Sequence, residues 1–334
     1  MGARHSQVEA ASPGLGLNLA RTMRTDEAVR IVMRRLHDML RVNEAGVLAG
    51  VDAEFLHDFG ITVRRSRSLL RQMSGVIPQR ILRRLDSGFA WLSQITRAAR
   101  DLDVYLIVLD AEVHQLAPDA GQDLSALRAF FRQRHQLAHK QLAARLTSAR
   151  YTQLIAAWSA YLASPLPVRS KLPFARLWLA DFADRAVWRA LRRVLRQGRA
   201  IRPDSPPTAL HDLRKSCKAL RYLMEFFQSL YPAARITKAI RILKSLQDWL
   251  GVYQDTQMQQ IFLETFLQQS KGSTDRQTEL DNFKHRLDKR QAVIRKRLTR
   301  KFEAFSERKR QSEFRRLFKP RRSARTQPSN PTIS

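Results

Sequence analysis

One amphipathic pattern occurs twice in this chain, and the repetition limits the folds that the chain can adopt. Residues 208–229 are TALHDLRKSCKALRYLMEFFQS, and residues 55–73 are FLHDFGITVRRSRSLLRQM. The two stretches align without a gap, with His57 opposite His211, at an offset of 211 − 57 = 154. The same offset pairs Pro78 with Pro232 and, further on, Asp101 with Asp255. A repeat of this length predicts two halves of one architecture rather than a solenoid of many short units.

Both halves are predicted to be helical. Apolar residues recur at helical spacing along most of the chain, and no useful stretch alternates as a half-buried strand would. We therefore expect an all-α fold of two pseudo-symmetric helical-bundle halves from an internal duplication, with long antiparallel helices around a basic groove or channel. In each half a proline starts the second helix of the repeat, and we predict a third helix beginning near Asp101 and near Asp255.

Composition shifts and prolines divide the chain into five segments. The leader contains Gly, Pro and Ser without periodicity, and the linker between the halves contains three prolines. Beyond residue 310 the chain is basic and polar, which is typical of a disordered tail. The predicted segments are a flexible leader at 1–23, a first helical half at 24–163, a linker at 164–173, a second helical half at 174–310 and a tail at 311–334.

The repeated helix carries cations on one face. At about 100° per residue, His211, Arg214, Lys218 and Arg221 fall within one arc, and leucines occupy the opposite side. A solvated face normally mixes charge signs, whereas no acid lies between Asp212 and Glu225. Like charges in such a row repel one another unless an anion lies among them, so the pattern favours an anion-binding face over a simply solvated one.

The residues of this face carry a resemblance to a known family. HxxRKxxKxxRY at 211–222, together with HDF at 57–59 and RRSR at 64–67 in the first half, resembles the CHAD family, the conserved histidine α-helical domain, as do RDLDV at 100–104 and LGxxxD at 250–255. The resemblance spans residues 24 to 310 and implies polyphosphate binding. The polyphosphate-binding residues that it implies are His57, Arg64, Arg67, Arg71, His211, Arg214, Lys215, Lys218 and Arg221. Arg34 on the preceding helix is expected to reinforce the cationic surface.

The first half departs from the family pattern at one position. Gly60 stands where the second half has Arg214, and a glycine inside a helix costs about 1 kcal/mol relative to alanine. We therefore expect the second half to dominate anion binding, through His211, Arg214, Lys218 and Arg221.

The charge balance agrees with a polyanionic partner. The chain of 334 residues has 60 Lys and Arg against 30 Asp and Glu, a formal net charge of +30. Charge alone does not separate polyphosphate from nucleic acid, because both are bound through ionic contacts. A general nucleic-acid-binding protein therefore stays as the alternative. No apolar run approaches a membrane span, so we expect no membrane partner and a cytoplasmic location, at polyphosphate granules. The sequence leaves the oligomeric state open.

Catalytic interpretations have less support from the sequence. His-Asp pairs occur at His37, His57 and His211, as in metal-dependent HD phosphohydrolases, but the surrounding cations would repel a metal ion. The chain has neither a Gly-rich phosphate loop nor a nucleophile with a convincing His and acid partner. His135 and His139 have metal-binding i,i+4 spacing, but we expect no neighbouring Asp, Glu or Cys to complete a site. We expect no enzyme activity, no cofactor and no metal.

Overall fold

Ten α-helices make up the chain in the computed structural model, which describes residues 15–50, 52–113, 121–269 and 274–320. Within these ranges the other regular features are one 3-10 turn, Gln228–Leu230, and two isolated β-bridges. The all-α prediction is confirmed. The helices are α1 Thr25–Ala49, α2 Ala53–Gln72, α3 Gln79–Val113, α4 Gly121–Leu146, α5 Ala149–Ala163, α6 Leu179–Ala200, α7 Pro207–Phe226, α8 Ala233–Gln269, α9 Thr274–Ser306 and α10 Arg308–Phe318.

The helix starts repeat with the spacing found in the sequence. The first residues of α1 and α6 differ by 179 − 25 = 154, those of α2 and α7 by 207 − 53 = 154, and those of α3 and α8 by 233 − 79 = 154. The order of helices in the two halves is therefore the same from α1 to α3 and from α6 to α8. Internal duplication as the origin of this order stays a prediction.

The predicted third helices at Asp101 and Asp255 do not begin there, and this prediction was wrong. Asp101 lies inside α3, an unbroken helix of 35 residues, and Asp255 lies inside α8, an unbroken helix of 37 residues. Each of these helices packs against two others. Helix α3 packs against α2 and α4, and helix α8 packs against α7 and α9. Packing of this kind stabilises a helix across positions of weak local propensity, and it extends α8 through Gly251.

Most of the apolar interior forms one cluster that both halves share. Leu36 and Phe59 from the first half lie in the same buried cluster as Leu191 and Leu223 from the second. A smaller cluster lies between α3, α4, α8 and α9 and includes Leu109. The segment 164–173 therefore connects two halves of a common core, and Pro167 within it accepts a hydrogen bond of 3.0 Å from Arg24.

Both predicted flexible ends contain packed residues. Leu15 and Leu19 of the leader are buried, and the backbone N–H of Leu19 donates to Oγ of Ser229 at 3.0 Å. At the other end, residues 311–318 belong to α10, which buries Phe314 and Phe318. The rest of the leader, 1–14, and of the tail, 321–334, lies outside the described residues. No helix among the described residues combines the length and the apolar character needed to cross a membrane.

Candidate functional site

The two helices of the repeat, α2 and α7, begin with different caps. The Asp52 carboxylate accepts the backbone N–H of Glu54 at 3.0 Å, which caps the first turn of α2. Helix α7 instead starts with Pro207, whose fixed φ suits a first helical turn. His57 and His211 therefore each lie about one turn inside their helices, with the repeated cations following along the helix.

Helices α2 and α7 cross near their C-terminal ends, where one carboxylate joins two arginines. The Glu225 side chain accepts from Arg65 of α2 at 3.0 Å and from Arg221 of its own helix at 2.9 Å. All three side chains are buried or nearly so, at 1% exposure for Arg65, 11% for Glu225 and 12% for Arg221. Both guanidiniums also lie near the ring of Tyr222, at 5.8 and 5.1 Å from its centroid. We call Arg65, Glu225 and Arg221 the crossing clamp.

The crossing is antiparallel. Arg65 contacts α7 at Glu225, whereas Gln72, further along α2, donates to the carbonyl of Ala219, earlier in α7, at 3.4 Å. His57 and His211 therefore lie towards opposite ends of the helix pair. The clamp lies eight residues from His57 along α2 and fourteen residues from His211 along α7. Because the helices are antiparallel, the two lengths add, and the distance along the helix axes is about 30 Å at 1.5 Å per residue.

In the second half, His211 and Arg214 face helix α8. Nδ1 of His211 lies 2.7 Å from Oε1 of Gln254, a hydrogen bond that sets the orientation of the imidazole. Arg214 extends towards Gly251, where a Cβ would lie 3.7 Å from its Nη2. Among the described residues, Nε of Arg214 is buried and has no hydrogen-bond partner. Lys215 is exposed and pairs with Asp212 at 3.0 Å, whereas Lys218 is half-buried.

In the first half, the predicted residues face helix α3. Within the described ranges, Nε2 of His57 and Nε of Arg64 are buried and lack a hydrogen-bond partner. A Cβ at Gly60 would lie 3.3 Å from Nη1 of Arg64 and 4.0 Å from Nη1 of Arg100, so the side chain of Arg64 and a residue of α3 both come close to this position. The Arg100 guanidinium, which also pairs with Asp101 at 3.0 Å, thus occupies the space beside the glycine.

The next predicted residues of α2 lie in a group of cations. Arg67 and Arg71 share the carboxylate of Asp86 on α3, at 3.8 and 3.5 Å. Burial and the nearby guanidiniums of Arg71 and Arg97 lower the pKa of Arg67 from its ordinary value, against the opposing effect of Asp86. After burial, the like charges of Arg71 and Arg97 contribute to this shift, and an added anion would relieve that repulsion.

Glycine and arginine exchange places between the two halves. At the repeat offset, Gly60 of α2 corresponds to Arg214 of α7, while Arg97 of α3 corresponds to Gly251 of α8. Arg100 likewise stands where the second half has Gln254, the partner of His211. Arg97 and Arg100 of α3 therefore add cations next to α2, at positions where α8 of the second half has Gly251 and Gln254. The predicted set lacked Arg97 and Arg100, although Gly60 and the offset together could have pointed to them.

Arg34 lies apart from these two groups in its contacts. Its Nη2 donates to the carbonyl of Leu162 at the end of α5, at 3.1 Å. This hydrogen bond connects α1 to α5. The described contacts of Arg34 are therefore structural and do not include the cations of α2 and α7.

The expectation that no acid accompanies His135 and His139 was wrong. Asp103 of α3 lies 2.6 Å from Nε2 of His135 and 2.9 Å from Nε2 of His139. The acid is 32 residues away in sequence and comes close through the packing of α3 against α4. In the described part of the chain this is the one group of three side chains with metal-ligand spacing, and it includes neither His57 nor His211.

Comparison with known proteins agrees with this architecture. The model of the CHAD domain family matches residues 31–264. The crystal structure of the CHAD domain from the plant Ricinus communis is similar, with a TM-score of 0.71 and 24% identity over 86% of this chain and 94% of that one. PptA from Streptomyces chartreusis is similar with a TM-score of 0.61 and 15% identity, over 88% of this chain and 99% of that one. A search of curated proteins gave no significant match.

Proposed function

The chain belongs to the CHAD domain family, and from this premise we propose that it binds inorganic polyphosphate without hydrolysing it. The ligand would lie along the cationic faces of α2 and α7, together with the arginines that α3 contributes. Polyphosphate carries roughly one negative charge per phosphate and no bases, so repeated cations and N–H donors are what its recognition requires. The bound protein would be cytoplasmic, at polyphosphate granules.

The observation that carries the proposal is a set of buried nitrogens without partners. Among the described residues, Nε2 of His57, Nε of Arg64 and Nε of Arg214 are shielded from solvent and accept or donate no hydrogen bond. Leaving a buried polar group unsatisfied costs about 1–3 kcal/mol, and more for a charged group. Phosphate oxygens would satisfy these nitrogens and neutralise the charge at the same time.

The geometry supports a linear ligand. Because α2 and α7 run antiparallel, the unsatisfied nitrogens of the two halves are spread along the path of about 30 Å between His57 and His211. A single phosphate or a compact nucleotide would engage one end of such a path, whereas an extended polyanion engages both. Long-chain polyphosphate is therefore expected to bind more tightly than an equal concentration of phosphate supplied as short chains.

The deciding experiment replaces, in each half, one arginine whose buried Nε has no hydrogen-bond partner among the described residues. Arg64→Ala with Arg214→Ala should lose two charged contacts of about 1.5–3 kcal/mol each, which weakens long-chain polyphosphate binding by about 10²-fold to 10⁴-fold. Arg192→Ala with Arg196→Ala is the matched control, since both residues are exposed on α6 and their removal changes the net charge equally. Calorimetric titration at physiological salt measures the polyphosphate affinity of both double variants. Equal losses in the two double variants would refute a specific site.

Nucleic acid is the competing ligand in the same assay. Nonspecific DNA binding depends on total charge and falls steeply with salt, so both double variants should lose DNA affinity to the same small extent. If DNA of equal charge competes as well as polyphosphate at physiological salt, the chain is a general polyanion binder instead.

The absence of hydrolysis is tested separately. Purified protein incubated with polyphosphate and a divalent metal should release no phosphate above the rate of a metal-only control. Release that disappears in a His57→Ala or His211→Ala variant would favour the phosphohydrolase alternative.

A further inference from the structure

We propose that Asp103, His135 and His139 form a binding site for one divalent transition-metal ion, of which Zn²⁺ is the best fit. The three side chains come from two helices, α3 and α4, and their ligand atoms all lie within 4.8 Å of one another. This site is separate from the anion-binding residues of α2 and α7, so the proposal does not depend on the proposed function.

The two imidazoles converge on a single point. Both Nε2 atoms approach the same oxygen, Oδ1 of Asp103, and the ring centroids are 4.3 Å apart. In a tetrahedral zinc site with bonds of about 2.0–2.1 Å, neighbouring ligand atoms are separated by about 3.3 Å. The observed separations of 2.6 and 2.9 Å would therefore have to open by less than about 1 Å, which side-chain rotation can provide.

The chemistry of the ligands selects the class of metal. Two imidazoles and one carboxylate suit zinc and its neighbours in the transition series, rather than calcium or magnesium, which prefer oxygen ligands alone. Three protein ligands leave the fourth position for water or for an oxygen of a bound anion. The side chain of Asp103 is only 9% exposed, whereas the histidines are 30% and 31% exposed, so a metal ion can enter from the histidine side.

Two arginines of α4, the helix that carries both histidines, are directed towards other partners. Arg134 lies over the ring of Phe130, with its guanidinium carbon 4.5 Å from the centroid, and donates to Gln269 at 2.6 Å. Arg128 pairs with Asp110 at 2.5 Å. The buried Asp103 carboxylate, by contrast, has two histidines for neighbours, and a divalent cation would supply the charge that a buried carboxylate requires.

The alternative is that the histidines only donate hydrogen bonds to Asp103, and the test separates the two. The chain, treated with chelator and then freed of it, is titrated with Zn²⁺ in competition with a chromophoric chelator and without polyphosphate. We expect one tightly bound equivalent. His135→Gln with His139→Gln keeps N–H donors for the carboxylate but removes the zinc ligands, so this double variant should lose the tight equivalent.

The control variant is His285→Gln, which changes an exposed histidine on α9 and should bind Zn²⁺ as the original chain does. Zn²⁺ should also raise the Tm of the original chain. Without Zn²⁺, the original chain and the double variant should unfold at the same temperature. If the double variant does not fold, His139→Gln alone serves the same comparison. Equal Zn²⁺ affinity with and without the two histidines, or an equal loss in His285→Gln, would overturn the proposal.

Discussion

Neutralising Glu225 should destabilise the fold far more than an ordinary surface charge change does. In the crossing clamp one carboxylate balances two guanidiniums, and the most buried of them, Arg65, is 1% exposed. Glu225→Gln keeps the size and an acceptor oxygen but leaves two positive charges without a counter-charge. Removing one partner of a buried ion pair costs about 3–5 kcal/mol. Because glutamine still accepts a hydrogen bond, we expect a loss of about 3 kcal/mol in the free energy of unfolding.

The measurement is urea unfolding followed by circular dichroism, with the free energy taken from the midpoint and the slope. Glu313→Gln is the matched control because it removes the same charge from an exposed pair with Lys238, in which both side chains are well exposed. Exposed pairs contribute little and are screened by salt, so this variant should unfold almost as the original chain does. A midpoint shift in Glu225→Gln no larger than in Glu313→Gln would refute the assignment of the clamp as a buried network.

Two further predictions concern packing and thiol reactivity. Gly198→Ala should destabilise the fold by about 1–3 kcal/mol, because a Cβ there would overlap the Phe302 ring. Gly251→Ala should be neutral or stabilising in the same urea experiment, because the nearest atom to its added Cβ is 3.7 Å away. A shift of equal sign in both variants would contradict the packing argument. Burial raises the pKa of the Cys217 thiol, so a thiol reagent at neutral pH should label the urea-unfolded chain rapidly and the native chain hardly at all, and rapid native labelling would contradict its burial.

The helical class and the helix starts could be predicted because they depend on local sequence. Apolar periodicity, prolines and the offset of 154 fix where α2, α3, α7 and α8 begin, to within a residue or two. The unbroken length of α3 and α8 was missed, because polar and glycine positions such as Asp101 and Gly251 resemble helix ends in isolation. Each of these long helices is held by two neighbours, and that tertiary support overrides the local signal.

The candidate site also contains features that could be predicted from the sequence and features that could not. Side chains on one helix, such as His211 and Arg214, could be assigned to a common face from the helical period alone. Contacts between distant helices could not, because Glu225 meets Arg65 across 160 residues and Asp103 meets His135 across 32. The sequence shows that these charges exist but does not show which of them neutralise one another.

That neutralisation changes the role expected of Arg221, and Arg214→Ala and Arg221→Ala should therefore act differently. Arg221 is 12% exposed and bound to Glu225, so its loss should lower the free energy of unfolding by about 1–3 kcal/mol. The cost stays below that of Glu225→Gln because Arg65 still balances the carboxylate. Arg214 makes no such ion pair in the described part of the chain, and its buried Nε has no hydrogen-bond partner there, so its removal should leave the free energy of unfolding unchanged or raise it slightly.

The affinities for polyphosphate should show the opposite order. Losing one charged contact of about 1.5–3 kcal/mol at Arg214 weakens binding about tenfold to a hundredfold. Arg221→Ala should retain most of its affinity when measured well below its unfolding temperature, because its guanidinium already serves the clamp. Urea unfolding and calorimetric titration of the same two proteins give all four quantities. If Arg214→Ala lost stability while Arg221→Ala alone lost affinity, the division between a structural clamp and an anion-binding face would be wrong.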